Sequence, residues 1–137
     1  MKMKAALTLP ALLLALFSIT IHSHSAKASP SAGPKLAIES PEHSFGKVKP
    51  GTPLDYTFKF RNEGQTDLEI KNVAPACGCT AANFDKVVSP GKEGGITLKV
   101  EHTEGYKGEV VKSAEVTTND PEHQTFTLIL RANFTAE

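Results

Sequence analysis

Residues 54–61, Leu-Asp-Tyr-Thr-Phe-Lys-Phe-Arg, alternate between large apolar and polar side chains. The same period of two returns in residues 96–101, Ile-Thr-Leu-Lys-Val-Glu, and in residues 126–132, Phe-Thr-Leu-Ile-Leu-Arg-Ala, where Ile129 interrupts the polar side. Successive side chains of a β-strand point to opposite faces of its sheet, so each segment presents one face to a core and the other to water. The three segments are therefore predicted to be half-buried strands.

Turn-forming residues separate these segments from each other and from weaker strand candidates. Turns are predicted at residues 62–64 (Asn-Glu-Gly), 89–91 (Ser-Pro-Gly), 94–95 (Gly-Gly) and 118–121 (Thr-Asn-Asp-Pro). Further strands are predicted at residues 35–40, 43–48, 67–74 and 109–118, whereas Ala81 to Val88 fits a loop, one helical turn or a short strand. About seven strands at this spacing predict an all-β fold, an immunoglobulin-like antiparallel sandwich of two sheets, with a closed barrel as the alternative.

The first 28 residues have the pattern of a secretory signal peptide. Two lysines within the first four residues precede an apolar run over residues 5–21, and the segment ends in Ala-Lys-Ala at residues 26–28. The apolar run is short for a membrane span and contains Pro10, so we expect cleavage after Ala28 rather than anchoring. Residues 29–34 then form a flexible lead-in and residues 35–137 a single domain, which is expected to be periplasmic or secreted.

The charge balance bears on the class of partner. The signal peptide carries three of the fifteen basic residues and no acidic one, so the remaining chain has twelve basic and fifteen acidic residues. This mildly acidic balance lacks the electrostatic footprint of a nucleic-acid-binding protein. No second apolar stretch approaches the length of a membrane span. The expected partner is therefore an unidentified protein of the envelope or the extracellular space.

Cys77 and Cys79 are the chain's two cysteines, and the residues around them predict a turn. Pro75 ends regular strand pairing, and Gly78 is expected to let the backbone turn tightly between the sulfurs. A disulfide between the two is geometrically feasible and is favoured by an oxidising compartment, although so small a ring contributes little stability. Thiol–disulfide exchange is a less favoured possibility, in which Lys71 or Lys86 would lower the pKa of a thiol if folding brings either near.

The third possibility for the pair is a soft-metal site. Two thiolates hold Cu(I) or supply half of a zinc site, so copper is the cofactor that this interpretation implies; otherwise none is expected. Zinc needs two more ligands, and His43, His102 and His123 lie on different segments without metal-ligand spacing. The three histidines are more typical of surface or strand-end positions, so no metal ligand is assigned.

Several short motifs in order resemble a family of exported bacterial proteins that carry a domain of unknown function. These are Phe45-Gly46-Lys47-Val48, Phe58 to Gly64, Cys77-Gly78-Cys79-Thr80, and Thr118-Asn119-Asp120-Pro121. The resemblance covers roughly residues 36–134. It implies export and an immunoglobulin-like fold similar to the Hydin-like and major-sperm-protein modules, with the cysteine pair as the shared chemical feature.

No nucleophile elbow and no H-E-x-x-H motif is present, so the sequence predicts no catalytic residue and no enzyme. The resulting hypothesis is a non-catalytic binding or assembly module. The segment from Ala74 to Val88 is the expected recognition region, with Pro75, Gly78 and Thr80 in its loop. The alternative is a thiol-redox or copper-handling protein built on Cys77 and Cys79.

Overall fold

The structure of the protein is a computed structural model that describes residues 32–136. The predicted signal peptide and the first residues of the lead-in lie outside this range. The described chain contains nine strands. They are β1 (Leu36–Ile38), β2 (Glu42–Val48), β3 (Leu54–Asn62), β4 (Leu68–Pro75), β5 (Thr80–Phe84), β6 (Val87–Val88), β7 (Glu93–Val100), β8 (Gly108–Thr118) and β9 (Thr125–Phe134).

The strands form two sheets that face each other, which confirms the all-β, immunoglobulin-like sandwich. One sheet has the order β1-β3-β7-β5 and the other the order β2-β9-β8-β4-β6. The strands beyond the predicted seven are β5 and β6, which are five and two residues long and lie in the segment that the sequence left open. A period of two is hard to recognise over so few residues.

One pairing departs from the antiparallel prediction. After β1 the chain changes sheets, and β2 runs parallel to β9, with Glu42 opposite Ile129 and Val48 opposite Phe134. The register shifts between Ser44 and Lys47, where Gly46 has a φ of 68°. A bulge of this kind favours glycine because residues with a Cβ rarely adopt a positive φ. This explains the glycine of the Phe45-Gly46 motif.

The core lies between the two sheets and follows the alternation in the sequence. The larger cluster centres on buried Phe58, Phe60, Leu98 and Leu128. A smaller cluster at one end of the sandwich contains Leu54, Val100, Ala132 and Phe134. Burial of these apolar faces is the main term that stabilises the fold, at about 25 cal/mol per Å² removed from water.

Asn62 is a buried polar residue that links four backbone segments. Its amide nitrogen donates to the carbonyl oxygens of Thr66 and Val88, both at 2.8 Å. Its Oδ1 accepts from the backbone N–H of Gly64 at 2.9 Å and of Lys35 at 3.3 Å. The end of β3 is thereby tied to the start of β1, the following turn and β6.

The Thr-Asn-Asp-Pro turn has a comparable structural role between β8 and β9. Asn119 pairs with the backbone of Asp67 and Glu69 before and in β4. The buried carboxylate of Asp120 accepts from the backbone N–H of Leu36 at 2.8 Å and lies 3.1 Å from Nδ1 of His123. The turn therefore fastens the two sheets to each other at one end of the sandwich.

Candidate functional site

Cys77 and Cys79 form a disulfide in the turn that carries the chain from β4 in one sheet to β5 in the other. The turn is held by its backbone: Ala76 N–H donates to the carbonyl of Ser113 on β8 at 2.9 Å, and Thr80 N–H donates to the carbonyl of Cys77 at 3.3 Å. The Thr80 hydroxyl also lies 3.7 Å from the Cys77 sulfur. The two half-buried cysteines are therefore positioned by both sheets.

Gly78, between the two sulfurs, does not have the conformational role predicted for it. Its φ is outside the positive region, in contrast to Gly46, Gly51, Gly91 and Gly108. A Cβ at position 78 would have no heavy atom of the described chain within 4 Å. Neither backbone conformation nor packing requires glycine here, and the consequence of the missing side chain is that this exposed side of the disulfide stays uncovered.

We expect Gly78→Ala to leave the free energy of unfolding unchanged or to raise it by up to about 1 kcal/mol, because alanine restricts the unfolded chain without straining the native one. Gly108→Ala is the matched control, since its Cβ also meets open space but its φ is +69°. That variant should lose about 1–2 kcal/mol. Urea unfolding measures both, and a loss above about 1 kcal/mol in Gly78→Ala would contradict this interpretation of the turn.

Two further polar side chains reach the disulfide, and neither was singled out from the sequence. The ammonium of Lys112 lies 3.3 Å from the Cys79 sulfur and 3.7 Å from the Cys77 sulfur. The hydroxyl of Tyr106 donates to the Cys79 sulfur at 3.5 Å. Lys112, rather than Lys71 or Lys86, is thus the lysine that contacts the cysteine pair in the described chain.

Lys112 and Tyr106 are themselves held in place. Lys112 occupies β8 on the same face as Val110 and Ala114, and its ammonium lies 4.6 Å from the centre of the Tyr106 ring. The Tyr106 ring packs edge-on against Phe134 with centroids 5.3 Å apart. The Tyr106 N–H donates to the carbonyl of buried Thr103. Tyr106 therefore packs against the small core cluster at this end of the sandwich, and Lys112 lies on the Tyr106 ring.

The three histidines considered as ligands do not gather at the cysteines. His43 stacks on Tyr56 with centroids 3.6 Å apart, and His123 pairs with Asp120. Within residues 32–136, no group of three or more His, Cys, Asp or Glu side chains is arranged to hold a metal ion. The Lys112 ammonium also disfavours a cation between the sulfurs, because like charges repel.

The family model described as "Protein of unknown function (DUF1573)" matches residues 36–134. The chain belongs to the DUF1573 family. The match spans β1 to β9, so the resemblance predicted from the Cys-Gly-Cys-Thr motif and its companions is confirmed. No curated protein resembles this DUF1573 chain closely enough to count as a match.

Solved structures similar to the DUF1573 domain include a protein of unknown function from Porphyromonas gingivalis W83, with a TM-score of 0.66 and 18% identity over 80% of this chain and 51% of that one. The ASH / PapD-like domain 7 of human CEP192 gives a TM-score of 0.56 at 15% identity, covering 88% of this chain and 98% of that domain. The Vibrio cholerae VesB protease gives 0.59 at 9% identity, covering 72% of this chain and 31% of the protease.

These likenesses establish the fold alone, because each identity is low. The DUF1573 chain spans about half of the Porphyromonas protein and less than a third of the protease. Among the residues that the structure describes, there is no helix with the length and hydrophobicity of a membrane span.

Proposed function

We propose that this DUF1573 domain is a non-catalytic binding module, exported to the periplasm or secreted, that takes an extended segment of a partner protein along the free edge of β5. The observation that carries the proposal is the position of β5 at the end of its sheet, where, within residues 32–136, it pairs with β7 on one side alone. An exposed strand edge can accept a further strand through main-chain hydrogen bonds. The signal-peptide pattern at residues 1–28 supports export.

The hydrogen-bonding pattern indicates which backbone groups of β5 are free. Asp85 N–H donates to the carbonyl of Gly95 on β7 at 3.1 Å. Because the bonding direction alternates along a strand, Ala81 and Asn83 also face β7, whereas the N–H and C=O groups of Ala82 and Phe84 face the open edge. The side chains of Ala82 and Phe84 are half-buried against the core, which leaves their backbone accessible to a partner strand.

β5 also lacks the features that usually protect a sheet edge, which are charges, prolines and bulges. Its sequence is Thr-Ala-Ala-Asn-Phe, and two of its five side chains are single methyl groups. The free edge of β2 is protected by the charges of Glu42 and Lys47 and by a bulge. The part of β3 that β1 does not cover is protected by the charges of Asp55 and Lys59. β1 and β6 are only three and two residues long. β5 is therefore the edge most open to strand addition.

The cysteine turn fixes the end of this edge. Of the residues expected to form the recognition loop, Gly78 is exposed, Pro75 is half-buried at the last pair of β4 and β8, and Thr80 is buried with its N–H already bonded to Cys77. Thr80 therefore positions the turn, while Gly78 is the loop residue that a partner would meet first. The proposed recognition region remains the segment from Ala74 to Val88.

The test of this function begins with the selection of ten-residue peptides that bind the protein from a displayed random library. The selected peptides are then titrated into the protein and followed by nuclear magnetic resonance. We expect the largest shifts at the backbone amides of Ala82 and Phe84. Ala81→Lys places a charge on the exposed face of β5 and should weaken binding about tenfold, which is about 1.4 kcal/mol.

Thr127→Lys is the control, because Thr127 is exposed on β9, an inner strand of the other sheet. It should leave the dissociation constant unchanged. Peptides whose shifts map to another surface, or whose affinity is equally insensitive to both substitutions, would overturn the proposal.

A further inference from the structure

We propose that the Cys77–Cys79 disulfide is a thiol–disulfide exchange site that accepts electrons from a protein dithiol, with Cys77 as the sulfur attacked and Cys79 as the leaving thiolate. This activity is separate from strand addition at β5, and each can fail without the other. It rests on the surroundings of the two sulfurs, which are asymmetric, and on the exposure of the turn.

The asymmetry assigns the roles of the two cysteines. The Cys79 sulfur has the ammonium of Lys112 at 3.3 Å and the hydroxyl of Tyr106 at 3.5 Å, both of which can donate a hydrogen bond to a thiolate. The Cys77 sulfur is farther from the same ammonium, at 3.7 Å, and has the Thr80 hydroxyl at 3.7 Å. A positive charge and a donor at a sulfur stabilise its thiolate, so the disulfide should open with the charge on Cys79.

The position of the lysine is itself informative. Lys112 lies on the core-facing side of β8, between Val110 and Ala114, where a charged residue is normally avoided. Lys112 is half-buried, and its ammonium lies against the sulfurs and the Tyr106 ring. A lysine that only supported the fold would gain little from a neutral disulfide, whereas a thiolate at Cys79 would give it a counter-charge.

The disulfide is also easier to explain as a reactive group than as a cross-link that stabilises the fold. It links residues two apart, so it removes little entropy from the unfolded chain and contributes little stability. The uncovered glycine between the sulfurs leaves the exposed side of the turn open to an approaching thiol. Asn62, Gly46 and Asp120, in the other motifs of this sequence, have structural roles that the contacts above account for.

The exchange proceeds in two balanced steps. A thiolate of the partner attacks the Cys77 sulfur, a partner–Cys77 disulfide forms, the Cys77–Cys79 bond breaks, and its electron pair stays on Cys79 beside Lys112. The partner's second thiolate then attacks the partner sulfur that is bonded to Cys77. The mixed disulfide breaks, and Cys77 leaves as a thiolate. The partner ends as a disulfide, this chain ends with two reduced cysteines, and the two protons released by the partner thiols are available to Cys77 and Cys79.

The role of Lys112 is tested by the rate at which dithiothreitol reduces the disulfide of the purified oxidised protein. Samples are quenched with acid, alkylated and analysed by mass spectrometry. Lys112→Met keeps the length of the side chain but removes its charge, and we expect reduction about three- to tenfold slower at about pH 7.5. Lys112→Arg should restore the rate to within about twofold. Lys71→Met is the control, since Lys71 makes no hydrogen bond to either sulfur in the described chain, and it should reduce at the wild-type rate.

Reaction with glutathione tests which sulfur is attacked. The mixed disulfide is trapped by acid and located by peptide mapping, and it should be found mainly at Cys77. The unfolding midpoint of every variant is also measured, which separates a chemical effect from a loss of structure. The proposal is overturned if Lys112→Met is reduced as fast as Lys71→Met, or if glutathione is found mainly on Cys79. If Ala81→Lys loses peptide binding but is reduced at the wild-type rate, the result supports strand addition at β5 and shows that the exchange site works independently of it.

Discussion

Replacing Asn62 with alanine is expected to lower the free energy of unfolding by about 3–5 kcal/mol, the largest effect of any single polar side chain in this domain. The residue is fully buried, and its amide bonds the carbonyls of Thr66 and Val88 while its oxygen accepts from two backbone N–H groups. Alanine would leave the Val88 carbonyl buried without this partner and would remove the bond from three half-buried backbone groups. Each unsatisfied buried group costs about 1–3 kcal/mol, partly offset where water enters.

Equilibrium urea unfolding followed by circular dichroism measures this loss. Asn133→Ala is the matched control, because Asn133 is exposed on β9 and its removal should change stability by less than about 0.5 kcal/mol. A loss below about 1.5 kcal/mol in Asn62→Ala would show that the linkage of β1, β3 and β6 does not depend on this amide.

The second large effect is acid sensitivity caused by Asp120. Burial raises the pKa of this carboxyl, but the N–H groups of Leu36 and Glu122 and the His123 ring outweigh burial and hold the pKa below its ordinary value of 3.8. A lowered folded-state pKa means that the unfolded chain binds the proton more readily. The stabilisation from Asp120 is therefore complete above the ordinary value and is lost as the pH falls through the folded-state pKa.

We expect Asp120→Ala to cost about 3 kcal/mol at neutral pH, since hydrogen bonds to charged groups contribute about 1.5–3 kcal/mol each and are partly replaced by water. Between about pH 5 and pH 2, Asp120→Asn should lose less stability than the wild type, because it has no proton to gain at this site. Asp55→Asn, at an exposed position on β3, should keep the wild-type slope. Parallel slopes for the wild type and Asp120→Asn would contradict the role assigned to the carboxylate.

The fold was largely predictable because its longest strands are half-buried. In β3, β7 and β9 one face packs in the core and the other meets water, so the alternation in the sequence reports the structure directly. β5 and β6 were not assigned, since five and two residues give too short a pattern. The parallel pairing of β2 with β9 was also beyond prediction, because it depends on a change of sheet after Ile38 and not on the composition of either strand.

The candidate site was only half predictable. The cysteine pair stands out in the sequence, but Lys112 and Tyr106 lie 33 and 27 residues from Cys79, and only the packing of the sheets brings them to the sulfurs. One signal was available: Lys112 interrupts the apolar phase of Val110, Ala114 and Val116 in β8. A charged residue in the core-facing phase of a strand is a reason to look for a partner group across the sandwich.

The parallel neighbours β2 and β9 have a consequence for the order of assembly. Glu42 lies opposite Ile129 in the sheet, so an early strand of the domain has no partner until one of its last strands is available. Contacts between such distant parts of a chain slow folding, because a long loop must close before they form. In a chain that reaches its compartment from the N-terminus onward, β2 would stay unpaired until nearly the whole domain had arrived. During that time chaperones and proteases could bind it.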